Sequence, residues 1–209
     1  MTMTELLSIF ITLLVIIDPI GLTPLFVSLT PDRNFQERRN IAFRATLGGF
    51  LILLLFSLFG ENVLLTIGVE MGAFQISGGI LLLLISIEML FQKRAERRKK
   101  SAGEEMPDPS IFPLAIPLIA GPGAIAAVIL ISSDTDGNFI KVVSVNLIIL
   151  FVVLIVFLCF LAGNALEKFV GRTGIDVITR LLGMLLAALA IQFIIDGFSN
   201  LGILVEPSR

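Results

Sequence analysis

Apolar residues in this chain run together rather than alternate. Mostly apolar stretches cover residues 6–29, 41–66, 71–91, 111–131, 140–166 and 177–204, with short polar segments between them. Each has room for the roughly 20 apolar residues with which an α-helix crosses the hydrocarbon core of a bilayer. Runs such as 51–56 (LILLLF) and 80–85 (ILLLLI) carry no polar alternation, which argues against strands of a membrane barrel. Backbone without internal hydrogen bonds cannot face lipid, so helices remain. The pattern predicts an all-α polytopic membrane protein of six transmembrane helices, spans one to six. The first run lacks a basic n-region, is interrupted by Asp18-Pro19 and shows no small-residue cleavage pattern after it. It therefore reads as a retained helix and not a signal peptide.

The polar segments set an orientation. Arg33, Arg38 and Arg39 fall between spans one and two, with Arg44 just inside span two. Lys93, Arg94, Arg97, Arg98, Lys99 and Lys100 fall between spans three and four; Lys168 and Arg172 between five and six, with Arg180 at the start of span six. Of 15 basic residues, only Lys141 and Arg209 lie on the other side. The positive-inside rule puts segments 31–40, 92–109 and 167–176 in the cytoplasm and both termini outside. Segment 92–109 is basic, then acidic, then broken by proline, the composition of a solvated linker with an orienting charge cluster; attraction to anionic lipid is secondary.

That linker divides the chain into two three-helix halves, 1–91 and 110–209, and the halves echo each other. Gly79-Ile-Leu-Leu-Leu-Leu-Ile-Ser-Ile-Glu88 in span three matches Gly183-Met-Leu-Leu-Ala-Ala-Leu-Ala-Ile-Gln192 in span six. Span one carries Asp18-Pro19-Ile20-Gly21-Leu22-Thr23-Pro24, and span four carries Pro117-Leu-Ile-Ala-Gly121-Pro122-Gly123, with Pro19 and Pro122 at nearly the offset of the glycine pair. An odd number of helices per half makes the second half cross in the opposite sense. The expected architecture is two inverted three-helix repeats with helices one and four interrupted near the midplane. Proline removes a backbone donor and clashes with the carbonyl one turn earlier. Paired interruptions at corresponding positions of two halves are the sequence mark of a transporter binding site.

Composition narrows the chemistry. The chain is 56% hydrophobic and 15% charged, against about 25% charged in soluble domains. It contains no His, Trp or Tyr and one Cys. Histidine zinc sites, Ser-His-Asp triads and disulfide frameworks are therefore excluded, and no cofactor or metal is expected. A net charge of −2 gives no footprint for nucleic acid. Missing Trp and Tyr leave Lys and Arg as the interfacial anchors. An intramembrane aspartyl protease would need two facing acids at depth, and only Asp18 stands there, so an enzyme is not expected.

Asp18 is the leading candidate. A carboxylate in mid-membrane is costly and is kept where it faces a cavity or a partner. It could hold a coupling cation, cycle a proton or meet a substrate ammonium group; equally, placed before Pro19, it could cap the half-helix beginning there. The expected substrate site comprises Asp18, Pro19, Gly21, Thr23, Pro24, Gly121, Pro122 and Gly123. Ser77, Glu88, Arg44, Arg180 and Gln192 are candidates for cavity lining or a gate, with a Glu88 pairing to Arg44 or Arg180 set against simple snorkelling of the arginines. Gly48-Gly49 and Ser77-Gly78-Gly79 offer smooth faces for close helix packing.

The segments IDPIGLTPLF (17–26), QISGGILLLLISIEMLF (75–91), FPLAIPLIAGPGAIA (112–126) and TRLLGMLLAALAIQFIIDG (179–197) resemble the signature segments of the MarC-related bacterial integral membrane proteins. That family is named for a multiple-antibiotic-resistance locus and is also classed as a six-span neutral amino acid transporter family. The resemblance covers nearly the whole chain. It implies a multi-pass, six-helix protein of the bacterial inner membrane, grouped with LysE-type exporters; some members of the MarC-related family are regarded as carriers of small neutral amino acids such as glycine and alanine.

The expected function is a secondary transporter of small zwitterionic solutes working by alternating access. The absence of a G-x-x-x-x-G-K-[ST] run leaves an ion gradient, H+ or Na+, or the solute's own gradient as the driving force. The alternative is a channel-like or scaffold protein in which the breaks only set shape. Its remaining expected partners are membrane lipids; small residues on spans two, three and six would serve a homo-oligomer or packing within one chain equally well.

Overall fold

The computed structural model describes residues 2–30, 33–91, 108–133, 135 and 138–203; most of the linker expected over 92–109 lies outside the described residues. Regular structure in them is all helical: α1 (Met3–Ile17), α2 (Pro19–Leu29), α3 (Phe35–Ile67), α4 (Met71–Leu90), α5 (Ser110–Ile119), α6 (Pro122–Ser133), α7 (Phe139–Leu161) and α8 (Gly163–Asn200). Five helical stretches are long and apolar enough to cross a membrane: Met3–Leu29, which is α1 and α2 together, then α3, α4, α7 and Thr173–Asn200 of α8. The pair α5–α6, bent by 55°, makes a sixth when taken as one span.

Helix starts follow local chemistry. Thr2 caps α1 and Asn34 caps α3, each in a reciprocal box with the Glu three residues on: the Glu5 amide donates to Thr2 Oγ1 at 3.2 Å, and the Glu37 amide to Asn34 Oδ1 at 2.9 Å. Asn138 caps α7 by accepting from the Ile140 amide at 3.0 Å. One boundary departs from the sequence expectation. Residues 167–176, read as a loop, lie within α8, and span five ends at Leu161 and not at 166. The chain turns at Ala162, and Gly163 then packs so close to α2 that a Cβ would lie 2.8 Å from a Val27 methyl. The direction changes again at Gly171, whose φ of 68° and ψ of 163° suit glycine alone.

The most extensive packing joins α4 and α8. Gly72, Gly79 and Ser86 recur every seventh residue on α4, as do Gly183, Ala190 and Gly197 on α8, and the two rows meet antiparallel. A Cβ at Gly79 would lie 2.7 Å from the Ala190 carbonyl oxygen, and one at Gly197 2.7 Å from that of Gly72. In lipid no hydrophobic force drives helices together, so backbone approach over small residues supplies the van der Waals contact. At the end of this pair Asn200 donates from Nδ2 to the buried Gln75 Oε1 at 2.6 Å.

Helix α3 uses glycine in the same way against span four: Gly48 and Gly49 meet Ala115 and Ile119 of α5, and Gly60 meets Ile129 of α6. The Ser57 and Ser132 hydroxyls bond across this contact at 2.8 Å. Rings join span one to α7, with Phe26 stacked on Phe160 at 4.4 Å between centroids and Phe10 tilted against Phe151 at 5.7 Å. Large side chains point outward instead: Phe43, Leu47, Leu51, Leu55 and Leu58 form one exposed stripe down α3. Large side chains are also buried, among them Leu13, Phe26, Leu82 and Ile149, so the helices meet through both small and large residues.

A leucine at Gly79 should therefore force α4 from α8 and cost about 1–3 kcal/mol or more. Leucine at the exposed Ala188 of α8 should be nearly neutral. Thermal unfolding of the two variants in detergent distinguishes them.

Candidate functional site

Span one breaks at Asp18. This residue sits in the left-handed region (φ 57°, ψ 65°), which ends α1, and Pro19 opens α2 with its φ already helical. Asp tolerates that conformation better than most side chains. Its own amide donates back to the Leu14 carbonyl at 2.9 Å, and its Oδ1 accepts from the Gly21 amide at 3.0 Å. Asp18 is thus C-cap of one half-helix and N-cap of the next, with no exposure at all. Gly21 is required here, since a Cβ at that position would overlap the Asp18 carboxylate. One turn on, Thr23 is buried and donates its hydroxyl to the Pro19 carbonyl at 2.9 Å. Pro24 has no N–H to give the carbonyl of Ile20, so the helix stays weakened over this turn.

Span four breaks differently. Each of Pro113 and Pro117 pushes its preceding residue out of the helical region, so Phe112 (φ −124°, ψ 125°) and Ile116 (φ −125°, ψ 127°) are extended. Both X–Pro bonds are cis. Backbone bonds reach five residues, from the Leu114 amide to Pro109 and from the Ala120 amide to Ala115, and α5 is wider than an α-helix. The chain then bends through Ala120 and Gly121, where a Cβ would lie 2.5 Å from the Pro117 carbonyl oxygen. Pro122 opens α6.

The fold brings these two breaks together. Gly123, in the first turn of α6, lies against Leu82 and Ile85 of α4, with Ile16 of α1 next to it; a Cβ there would be 3.8 Å from an Ile16 methyl. Ile16 is two residues before Asp18. This is the contact that joins the two breaks; Thr23 instead turns its methyl toward Gly163 of α8, and Pro122 is exposed.

The candidate gate residues do not join this region. Ser77 is exposed and donates to the Phe74 carbonyl of its own helix at 2.9 Å. Gln192 is exposed and donates to Asp196 at 2.7 Å. Arg180 is exposed, and Glu88 is half-buried near the end of α4. Arg44 pairs with Asp108 at 2.9 Å. Asp108 received no role from the sequence; it precedes the buried Ser110, whose amide donates to Asp108 Oδ1 at 3.0 Å. Asn146 in α7 was also missed. Its Nδ2 donates to the Val142 carbonyl at 2.8 Å, while Oδ1 is buried and has no donor among the described residues. Its one available signal was an amide in an otherwise apolar run.

Two predictions follow from this geometry. Gly21→Ala should displace the Asp18 carboxylate and cost about 1–3 kcal/mol, whereas Asp18→Asn keeps an acceptor for the Gly21 amide and should cost less; thermal unfolding ranks them. The Ser110 side chain, with the Ser110 amide and Arg44, outweighs partial burial and holds the Asp108 carboxyl below its ordinary 3.8. A pKa lower in the folded chain than in the unfolded one gives stability that is present at neutral pH and lost as pH falls through the folded value. The thermal-stability gap between the parent and Asp108→Asn should stay constant down to about pH 5 and close only in stronger acid.

Known proteins resemble the chain over nearly all of its length. The family model described as MarC family integral membrane protein matches residues 3–201. Among curated relatives, a UPF0056 membrane protein of Buchnera aphidicola (subspecies Schizaphis graminum) is 34% identical, the alignment covering 92% of this chain and 90% of the relative. UPF0056 membrane proteins of Methanocaldococcus jannaschii and Archaeoglobus fulgidus are each 36% identical, over 90% and 91% of this chain and 93% and 91% of the relative. No solved structure matches. With a family match over almost every described span, the chain belongs to the MarC family of integral membrane proteins.

Proposed function

We propose that this protein is a secondary transporter of small zwitterionic solutes, such as small neutral amino acids, in the inner (plasma) membrane of a bacterium. The observation that carries the reading is the meeting of two broken helices beside one fully buried carboxylate. Broken helices expose half-helix ends whose dipoles attract opposite charge. α2 carries its own acid at its start, Asp18, whereas α6 starts after Gly121, which has no side chain. A zwitterion matches that asymmetry, its ammonium toward Asp18 and its carboxylate toward the amides of Gly123 and Ala124.

Alternating access requires two comparable halves, and the contacts support an inverted repeat. Pro19 and Pro122, Gly60 and Gly163, Asn34 and Asn138, and Gly79 and Gly183 recur at a spacing of 103 or 104 residues. Their contacts recur with them. Gly79 lies on the Ala190 carbonyl and the Ile194 amide; Gly183 lies on the Ser86 carbonyl and the Leu90 amide, the same spacing away. Gly60 packs on α6 at Ile129, and Gly163 on α2 at Val27. On this reading residues 1–91 and 110–209 are the repeats, the basic segments face the cytoplasm, and both termini lie outside. Energy comes from an ion gradient, with Asp18 the candidate carrier of H+ or contact for Na+.

Purified protein in liposomes, given labelled alanine or glycine under imposed pH and sodium gradients, should show saturable uptake with counterflow. Asp18→Asn, which keeps the cap, should lower it at least about tenfold. Conductance without saturation would point to a channel. Absence of uptake under every gradient, or uptake indifferent to Asp18→Asn, would reject the proposal.

A further inference from the structure

The first turns of α3 clasp both broken spans at one end of the molecule. Arg38 donates to the Thr30 carbonyl twice, from Nε at 3.1 Å and Nη2 at 2.7 Å. Thr30 is the residue that ends α2; it is fully buried, and its hydroxyl donates to the Phe26 carbonyl at 2.8 Å. A guanidinium at a helix C-terminus meets both the last carbonyls and the negative end of the dipole. Further along α3, Arg44 meets Asp108 at 2.9 Å, and Asp108 accepts from the amide of Ser110, the first residue of α5. One helix start therefore fastens the C-terminal end of span one and the N-terminal end of span four. The start itself is fixed by the Asn34–Glu37 capping box, with Arg33 4.0 Å from Glu37. Between the two arginines, Ile41 and Ala42 are buried against the core.

The other end is built differently. Helix α7 starts from Asn138 as α3 starts from Asn34, yet the residues standing 104 positions after Arg38 and Arg44 are Val142 and Ile148. The clasp by two arginines has no equivalent in sequence at that start; Lys141 stands where Glu37 does.

We propose that the start of α3 is a latch on one gate, holding the basic end of the molecule closed while Arg38 and Arg44 are seated; the opposite end has no such arginine pair and is tied by neutral contacts such as Asn200–Gln75 and Ser57–Ser132. The proposal rests on the alternating-access reading above. Its two halves differ physically. The side chains of Arg44 and Asp108 are 66% and 44% exposed, so their attraction is weak and screened by salt. Arg38 binds a buried carbonyl, and those bonds are much less sensitive to salt. A latch of this kind opens readily and closes to a defined position.

The test is the accessibility of a buried thiol. In a Cys159→Ala background, Ala42→Cys places a single thiol at a fully buried site one turn past Arg38. The protein is held in nanodiscs, with both faces open to a membrane-impermeant maleimide. Arg38→Ala and Arg44→Ala should each speed labelling by about threefold or more, and the exchange Arg44→Asp with Asp108→Arg should bring the rate back toward the parent. Raising salt should speed labelling of the parent and leave Arg44→Ala unchanged. Rates within experimental error of the parent in both arginine variants, a parent indifferent to salt, or an equal gain from Lys141→Ala at the far end would each overturn the latch. If Ala42→Cys does not fold, Ala45→Cys, also fully buried, serves as the reporter, and the salt series on the parent needs no latch variant. Labelling is independent of solute. A latch that responds in a protein that carries nothing would sink the transport reading alone, and unchanged labelling in a protein that does carry solute would sink the latch alone.

Discussion

A helix interrupted within a membrane strands backbone carbonyls and amides where no water can take them up, and most of this fold is organised around sheltering two such interruptions. At Asp18 the shelter is built from the chain itself: a carboxylate takes the Gly21 amide and the Thr23 hydroxyl takes the Pro19 carbonyl. In span four two prolines remove donors, and the backbone widens so that its bonds reach one residue further. Gly123, beside the second break, lies against α4 and near Ile16, two residues before the first; Asp18 is fully buried, whereas Phe112 and Ile116 of the second break are exposed.

Glycine makes that possible. The α4–α8 pair brings backbones into contact along rows of small residues, and α3 reaches α5 and α6 through Gly48, Gly49 and Gly60. Because the lipid is as apolar as any side chain, α3 can leave a leucine stripe facing out while its glycines face in. Close contact of backbones also leaves little room to deform. Motion in such a protein is more readily accommodated between groups of helices than within α4–α8, and the arginine contacts at the start of α3 join it to the ends of both broken spans.

Much of this was legible beforehand. Five of the six apolar runs correspond to membrane-length helices and the remaining one to the bent α5–α6 pair, the Asp18-Pro19 and Pro117–Pro122 clusters fall where the helices break, and Gly48-Gly49 and Gly78-Gly79 do serve close packing. Other features were not. The end of span five and the loop after it were misplaced because a helical segment at 163–170 resembles a continuation of its neighbours until Gly171 turns it. The partner of Arg44 was sought within spans two, three and six, whereas Asp108 lies at the end of a linker whose sequence has no periodicity to place it. Gln192 is a cavity candidate as the repeat counterpart of Glu88, and Ser77 as a neighbour of Gly78-Gly79; in the structure each hydrogen-bonds within its own helix.

Sequence alone determined the solvent, the helices and the places where they fail, because hydropathy over about 20 residues and the missing N–H of proline are local properties. It also determined what chemistry is absent, since a chain without histidine cannot bring one from elsewhere. Tertiary structure decided which breaks meet, which glycines face a backbone and which face nothing, and which acid each arginine finds. These depend on the distance between residues far apart in the chain, such as Ile16 and Gly123 or Arg44 and Asp108, and only the packing of whole helices sets such distances.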